Sequence, residues 1–335
     1  MTLPQAEVQT QSAESPGAPD KAPKVIAGKS PTRIAFDRLR RDWLAMASLV
    51  VVVAFALIAV FAGTIADLLG VSLETPLASE RINLINRLPL EGPPFGGYDP
   101  EHPFGVAPGV GTDNLAVWLY GARTSMIIAS VAAVLSTVVG VVVGLLAGYL
   151  GGTVDKVLMF LTDLFLTIPF LLAALALAPI LSDRFGTDPA QLGRMKFYSV
   201  IAVLVIFGWM TMARLIRGEV LSIREREFVQ AARAIGVPTH RILRKEILPN
   251  LVAPIVVAFS LALPAYVAAE AGLSYLGIGV TDRPSWGQTV SAAVPWFDVY
   301  PQYLWQPVIG IILLVIALNL LGDAIRDAVD PKTRR

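Results

Sequence analysis

The chain has 335 residues, of which 55% are hydrophobic and only 16% charged, with a mean hydropathy of +0.63. Soluble domains carry about 25% charged residues, so this composition excludes an ordinary soluble enzyme or binding module and points to lipid. A formal charge of +1 gives no bulk attraction for nucleic acid, and the absence of cysteine removes disulfides, thiolate metal sites and cysteine nucleophiles.

Residues 1–32 are polar and proline-punctuated, and they read as a disordered tail. Gly28-Lys29-Ser30 copies the end of a phosphate-binding loop, but Pro23 stands where its first glycine belongs, so no ATP site is read there. Residues 33–42 read as a basic amphipathic helix on a membrane surface, with Ile34, Phe36 and Leu39 toward lipid. A membrane span needs about 20 apolar residues to cross about 30 Å of hydrocarbon. Six runs qualify or nearly so: 43–66, 124–154, 157–182, 197–213, 247–269 and 299–322. The first is longer than a signal-peptide core and reads as an uncleaved anchor.

The predicted fold is an all-α polytopic membrane protein with six transmembrane helices. It divides into a tail (1–32), an amphipathic segment with the first span (33–69), an outer loop (70–122), a core of five spans (123–327) and a second tail (328–335). With the amino terminus inside, 20 of the 27 Lys and Arg residues fall in cytoplasmic segments and 7 outside. That asymmetry places both termini in the cytoplasm.

Ser136, Gly140, Gly144 and Gly148 are spaced four apart, a small-residue face for close helix packing. Packing within the chain's own bundle is favoured over packing against a second subunit. Asp163 and Glu270 are carboxylates at membrane depth, where a charge needs a partner or a wet cavity. Asp163 is expected to pair or cap near the inner interface, seven residues after Lys156, and Glu270 to sit half-buried near the outer end of span five. A proton or ion pathway is the sharper alternative. Pro169, Pro179, Pro254 and Pro264 are expected to kink or break spans three and five, which suits a transport path better than an anchor. His102 and His240 fall on opposite faces of the membrane, share no metal site and leave His102 as a plain loop residue. No catalytic triad is suggested, so the chain is read as a non-enzyme.

Between spans four and five, residues 214–250 carry eight basic residues. Phe228, Ala231, Ala232 and Ile235 recur at i, i+3, i+4, i+7 and share a helical face. Gly236 should stop this helix, Pro238 should open a second, and Pro249 should end it. The result is a helix–turn–helix elbow, a docking peg for a soluble partner. A charged linker lying on the membrane surface is the alternative.

This stretch resembles the EAA signature of membrane subunits of ATP-binding-cassette importers, with Ala231, Ala232, Gly236, Leu248 and Pro249 at matching positions. Gln230 replaces the usual leading glutamate, and Glu246 takes an ordinarily apolar position. Further segments resemble the C-type permease of the dipeptide/oligopeptide/nickel family: Tyr120-Gly121-Ala122-Arg123, Gly148-Tyr149-Leu150-Gly151-Gly152, Leu273-Ser274-Tyr275-Leu276-Gly277 and Asn319-Leu320-Leu321-Gly322-Asp323. The first outer loop departs from the family pattern by an insertion before Gly111-Thr112-Asp113. The resemblance implies a permease subunit of a prokaryotic cell membrane, forming half of a path for di- or oligopeptides, with nickel or another small solute as the alternative cargo. It implies as partners a homologous second permease, two ATPase subunits that hold ATP and Mg, an extracytoplasmic binding protein and membrane lipid, with no nucleic acid and no cofactor in this chain. It assigns ATPase coupling to Phe228, Gln230, Ala231, Ala232, Arg233, Gly236, Arg241, Leu248 and Pro249. The loop 275–303, with Trp286, Trp296 and Tyr300, is the candidate face for the binding protein, against an interfacial aromatic belt. A self-sufficient secondary transporter needs inverted repeats, and none is evident; a membrane scaffold or sensor is the remaining alternative.

Overall fold

The structure, a computed structural model, describes residues 31–74, 81–185 and 189–329. The sequence 1–30, with its Gly-Lys-Ser, and residues 330–335 lie outside the described residues. Among those described no strand forms; two isolated bridges, Ile82 with Pro89 and Val106 with Asp113, tie down the segment that precedes the second long helix.

Helix α1 (Pro31–Arg41) is separated from α2 (Trp43–Leu69) by Asp42, whose carboxylate accepts from the Leu44 and Ala45 N–H groups and caps α2. Helix α3 (Asn114–Leu150) is capped by Asp113 through the Ala116 N–H and ends at Gly151. It contains no proline, and its 37 residues extend about 55 Å at 1.5 Å per residue. It starts eight residues before the predicted end of the outer loop at 122, because the cap lies at Asp113 and not near Arg123.

Span three breaks at the first of its prolines, as expected. Helices α4 (Gly152–Thr167) and α5 (Phe170–Phe185) meet at Ile168–Pro169 with a bend of 92°. A proline lacks the N–H that would continue the ladder and pushes its predecessor out of the helical region. Pro179 lies inside α5, and Pro254 and Pro264 lie inside a later helix that continues past them. Span four is α6 (Pro189–Ile206) followed by α7 (Met210–Ile223), interrupted at 207–209. The elbow supplies α8 (Glu227–Ala234) and α9 (Thr239–Ile242), which passes through a π turn, Leu243–Ile247, into α10 (Leu248–Tyr275). A short α11 (Trp286–Ala293) and α12 (Pro301–Val329) complete the described chain. Among the described residues, five helical stretches are long and apolar enough to cross a membrane, and the bent pair makes up to six.

Helix α3 is the hub. It packs against α2, α6, α7 and α10, and α12 closes the bundle against α2 and α10. The bundle has two dissimilar ends. One, here the peg end, carries α8 and α9. The other, the cap end, carries the segment 81–113 and α11.

Candidate functional site

At the peg end, α8 starts with Glu227 in its first turn, where the helix dipole favours a negative charge. It stops in a Schellman turn: the Gly236 N–H donates to Arg233 O and the Val237 N–H to Ala232 O, both at 3.0 Å. Gly236 has φ +78°, a conformation that costs a residue with a Cβ. Val229 is fully buried among Ile216, Val220, Ile242 and Ile247, and Ala232 packs at the edge of that cluster. The predicted apolar face divides accordingly. Phe228, Ala231 and Ile235 point outward, Ile235 being 80% exposed, and the residue that anchors the helix is Val229, outside the predicted set.

Gln230 and Arg241 are also exposed, and the Gln230 amide donates to Arg224 O at 3.2 Å. Leu248 packs against the buried cluster while Pro249 is exposed. Pro249 does not end the second arm as expected: it occupies the first turn of α10, where its missing N–H has no cost, so the arm runs straight into the span. Arg233, assigned to ATPase coupling, lies over the Tyr149 ring at 4.6 Å and donates from Nε to the Tyr149 hydroxyl at 3.3 Å. Arg224 donates to Gly148 O at 2.9 Å. Sequence reasoning gave Tyr149 and Arg224 no role, although Tyr149 stands in the family-like segment 148–152, beside the last glycine of the small-residue stripe, and Arg224 is one of the eight basic residues of 214–250.

Within the spans the stripe lies against α7. A Cβ on Gly140 would come within 2.6 Å of the Met212 Cβ, one on Gly144 within 2.6 Å of Ala213 O, and one on Gly148 within 2.8 Å of the Val220 Cβ. Ser136 continues the stripe and bonds Leu204 O at 3.5 Å. Asp163 pairs with Arg214 on α7 and not with Lys156, and Asp155 accepts two bonds from Arg217 on the same helix. These pairs hold α4, of which only Thr162 is buried, to α7.

Glu270, expected half-buried, is fully buried. Ser274 Oγ donates to its Oε1 at 2.7 Å, and the hydroxyls of Ser125 and Ser285 stand beside it. Its Oε2 meets hydrogen-bond geometry with no described group. The carboxyl therefore sits where α3, α10 and the start of α11 converge. Close by, α3, α5, α6, α7 and α10 line a cavity of about 340 Å³ beside the 207–209 interruption; Thr137, Thr211 and Tyr266 supply hydroxyls to a wall without charged side chains.

The cap end is built inward. Trp286 and Tyr300, placed by sequence on a docking face, are both fully buried. Trp286 lies edge-on to Phe55, 5.7 Å between centroids, and its Nε1 donates to Trp118 O at 3.0 Å. The Tyr300 hydroxyl meets Pro93 O, Phe104 O and the Asn114 amide, and burial pushes its phenol up to about 12. These aromatics hold the cap together and are not available to a partner; Trp296 alone of the three is half-exposed. His102 is likewise more than a loop residue: it is 5% exposed, and its Nδ1 lies 2.6 Å from Oδ2 of the buried Asp113. Among the described residues no group of side chains is placed to hold a metal ion.

Comparison with known proteins gives a consistent result. Residues 140–335 match the family model described as the binding-protein-dependent transport system inner membrane component, and residues 30–78 match the N-terminal TM domain of oligopeptide transport permease C. The chain is 34% identical to the oligopeptide transport system permease protein OppC of Bacillus subtilis, over 89% of this chain and 88% of that one. It is 33% identical to the dipeptide transport system permease protein DppC of Alkalihalophilus pseudofirmus, over 91% of each. It is 31% identical to the glutathione transport system permease protein GsiD of Shigella dysenteriae, over 91% and 92%. In fold it is similar to a chain of the inward-facing MetNI methionine ABC transporter, with a TM-score of 0.52 and 20% identity, over 64% of this chain and 96% of that one.

Proposed function

The chain belongs to the family of binding-protein-dependent transport system inner membrane components, and from that premise we propose that it is the permease subunit of an ATP-driven importer of short peptides. The observation that carries the reading is the peg: an elbow fixed between two spans that leaves Phe228, Ala231 and Ile235 bare. The three are spaced i, i+3, i+7 and so lie together on one helical face, and contiguous exposed apolar patches mark interaction sites.

In this reading two ATPase subunits, which bind ATP and Mg, receive the pegs of this chain and of a homologous second permease. Phe228, Ala231 and Ile235 enter the ATPase surface, with Gln230 and Arg241 at the rim. The peg end faces the cytoplasm in this reading, which is supported by the charge asymmetry: with the amino terminus inside, 20 of the 27 basic residues fall on that side. The cap end faces outward toward the binding protein, and the exposed Val294, Phe297 and Val299 replace the buried aromatics as its contact surface. The hydroxyl-bearing cavity beside α7 lies on the path, its uncharged wall suited to side chains of varied sequence. Short peptides are the cargo because the oligopeptide, dipeptide and glutathione permeases named above are all similar over most of the chain.

The test is ATP-driven peptide uptake by the assembled complex in vesicles, with Gly236→Pro and Ala232→Trp as variants. Both should insert normally and lose coupling between hydrolysis and uptake. Normal uptake by both would sink the docking role of the peg.

A further inference from the structure

We propose that Tyr149 is a positioning residue that fastens the peg to the corner between α3 and α4, so that ATPase movement enters the spans through α3 and not through α10. The proposal rests on the function proposed above and names the element that receives the motion.

Besides its chain link to α7 and the burial of Val229 against that helix, the elbow has two attachments to the bundle, and they differ in kind. On the first, two arginines of the peg region grip the end of α3. Arg233 covers the ring of Tyr149, which is 8% exposed, and bonds its hydroxyl. Arg224 binds Gly148 O, one of the last carbonyls of α3, which a helix end leaves without an intrahelical partner and where the dipole favours a cation. Directly behind this grip, Gly148, Gly144 and Gly140 leave no clearance between α3 and α7, so a push on Tyr149 is delivered to two packed helices at once. Asp155 and Asp163 bring α4 into the same body through Arg217 and Arg214.

On the second attachment, α9 passes into α10 through a five-residue π turn, with Pro249 and Pro254 following. A π turn widens the hydrogen-bond ladder, and Pro254, inside α10, removes a rung. That joint bends where the first holds. The ring of Tyr149 is the part of the first attachment contributed by a side chain of α3, and it is the part that can be removed without touching the peg surface.

The experiment uses the assembled complex in vesicles. The readouts are ATPase retained on purification, ATP hydrolysis, and import of a mixed di- to pentapeptide pool measured by mass spectrometry. Tyr149→Leu should keep the ATPases bound and hydrolysing while import per ATP falls about tenfold, within the range of ordinary coupling effects. Tyr149→Phe, which keeps the ring under Arg233, should stay close to wild type. Because the chain has no cysteine, spin labels can be placed at will. The distance from Glu227→Cys to Val142→Cys on α3 should be the same with and without ATP, while that from Glu227→Cys to Val256→Cys on α10 should change. Unchanged import per ATP in Tyr149→Leu overturns the proposal, as does a changing distance to α3 with a constant one to α10. Should Tyr149→Leu fail to fold, Arg233→Gln decides by the same ratio. ATPase loss in both variants also overturns it, since the clamp would then act in docking. A wild-type complex that binds no ATPase, or hydrolyses without importing, is instead the failure of the proposed function, whatever Tyr149 does.

Discussion

The two ends of the bundle carry similar material and use it in opposite ways. Each is a short helix between spans with several large apolar residues: Phe228, Val229 and Ile235 at the peg, Trp286, Val290 and Trp296 at the cap. At the cap the largest of these, Trp286, is fully buried, its indole N–H is bonded, and Tyr300 next to it finds three polar partners. At the peg one residue in the helix is buried and the rest of the apolar face is left to solvent. Burial of a chain's own side chains makes a lid; leaving them bare makes a socket fitting. The contrast teaches that an apolar pattern in a loop states the presence of an interface but not whether its other half is in the same chain.

The contrast can be broken most sharply at Trp286. Trp286→Ala removes a buried ring packed against Phe55 and Trp118 and should cost about 3–5 kcal/mol. The thermal midpoint of the purified protein would fall; an unchanged midpoint would make the cap as loosely built as the peg. Next comes His102→Ala, which leaves the buried Asp113 carboxylate with only its capping bond and should cost about 1–3 kcal/mol. Faster proteolysis of the segment 81–113 in otherwise intact protein is the expected sign.

Tyr300 gives the cap an alkaline limit. Its phenol is raised by burial from 10.0 to about 12, so the neutral form is favoured in the folded chain and the unfolded chain ionises first. Its contribution is fully present below pH 10 and is lost as pH rises toward about 12. Tyr300→Phe should flatten the decline in melting temperature over that window, and an identical decline would show that Tyr300 does not set it. The smallest effect on stability is expected at the peg. Ile235→Ser should change stability by less than about 0.5 kcal/mol, as for other exposed positions, yet weaken ATPase retention on purification. A large loss of stability there would make the peg a lid like the cap.

The run of spans was legible because span length follows from the cost of unpaired backbone groups in hydrocarbon. The elbow was legible because Gly236 at a positive φ and the helical spacing of 228–235 are local facts. What was not legible is relational. Periodicity marks an apolar face but not which of two adjacent residues, Phe228 or Val229, meets the bundle. Nothing local in Glu270 announces Ser125, which is 145 positions away, and nothing in Arg233 announces Tyr149. The right angle at Pro169 and the milder course at Pro179 come from the same residue type; neighbouring helices decide whether a freed carbonyl is tolerated in place or the chain must turn. The interruption at 207–209 carried one weak signal, a glycine between two aromatics.

The unbroken course of α3 has a further consequence. Its first residues are knotted into the cap, where Asp113 holds both the helix start and His102, and its last residues lie in the grip of the peg arginines. Of the two spans that join the peg directly, α7 is separated from α6 by the interruption at 207–209, and α10 is entered through a π turn. Helix α3 is thus a strut with a load at each end, and a strut has no preferred direction. Whatever the motor side imposes on its foot must be legible at its head, and whatever seats itself on the cap is announced, by the same rigid body and with reciprocal free energy, to the motor below.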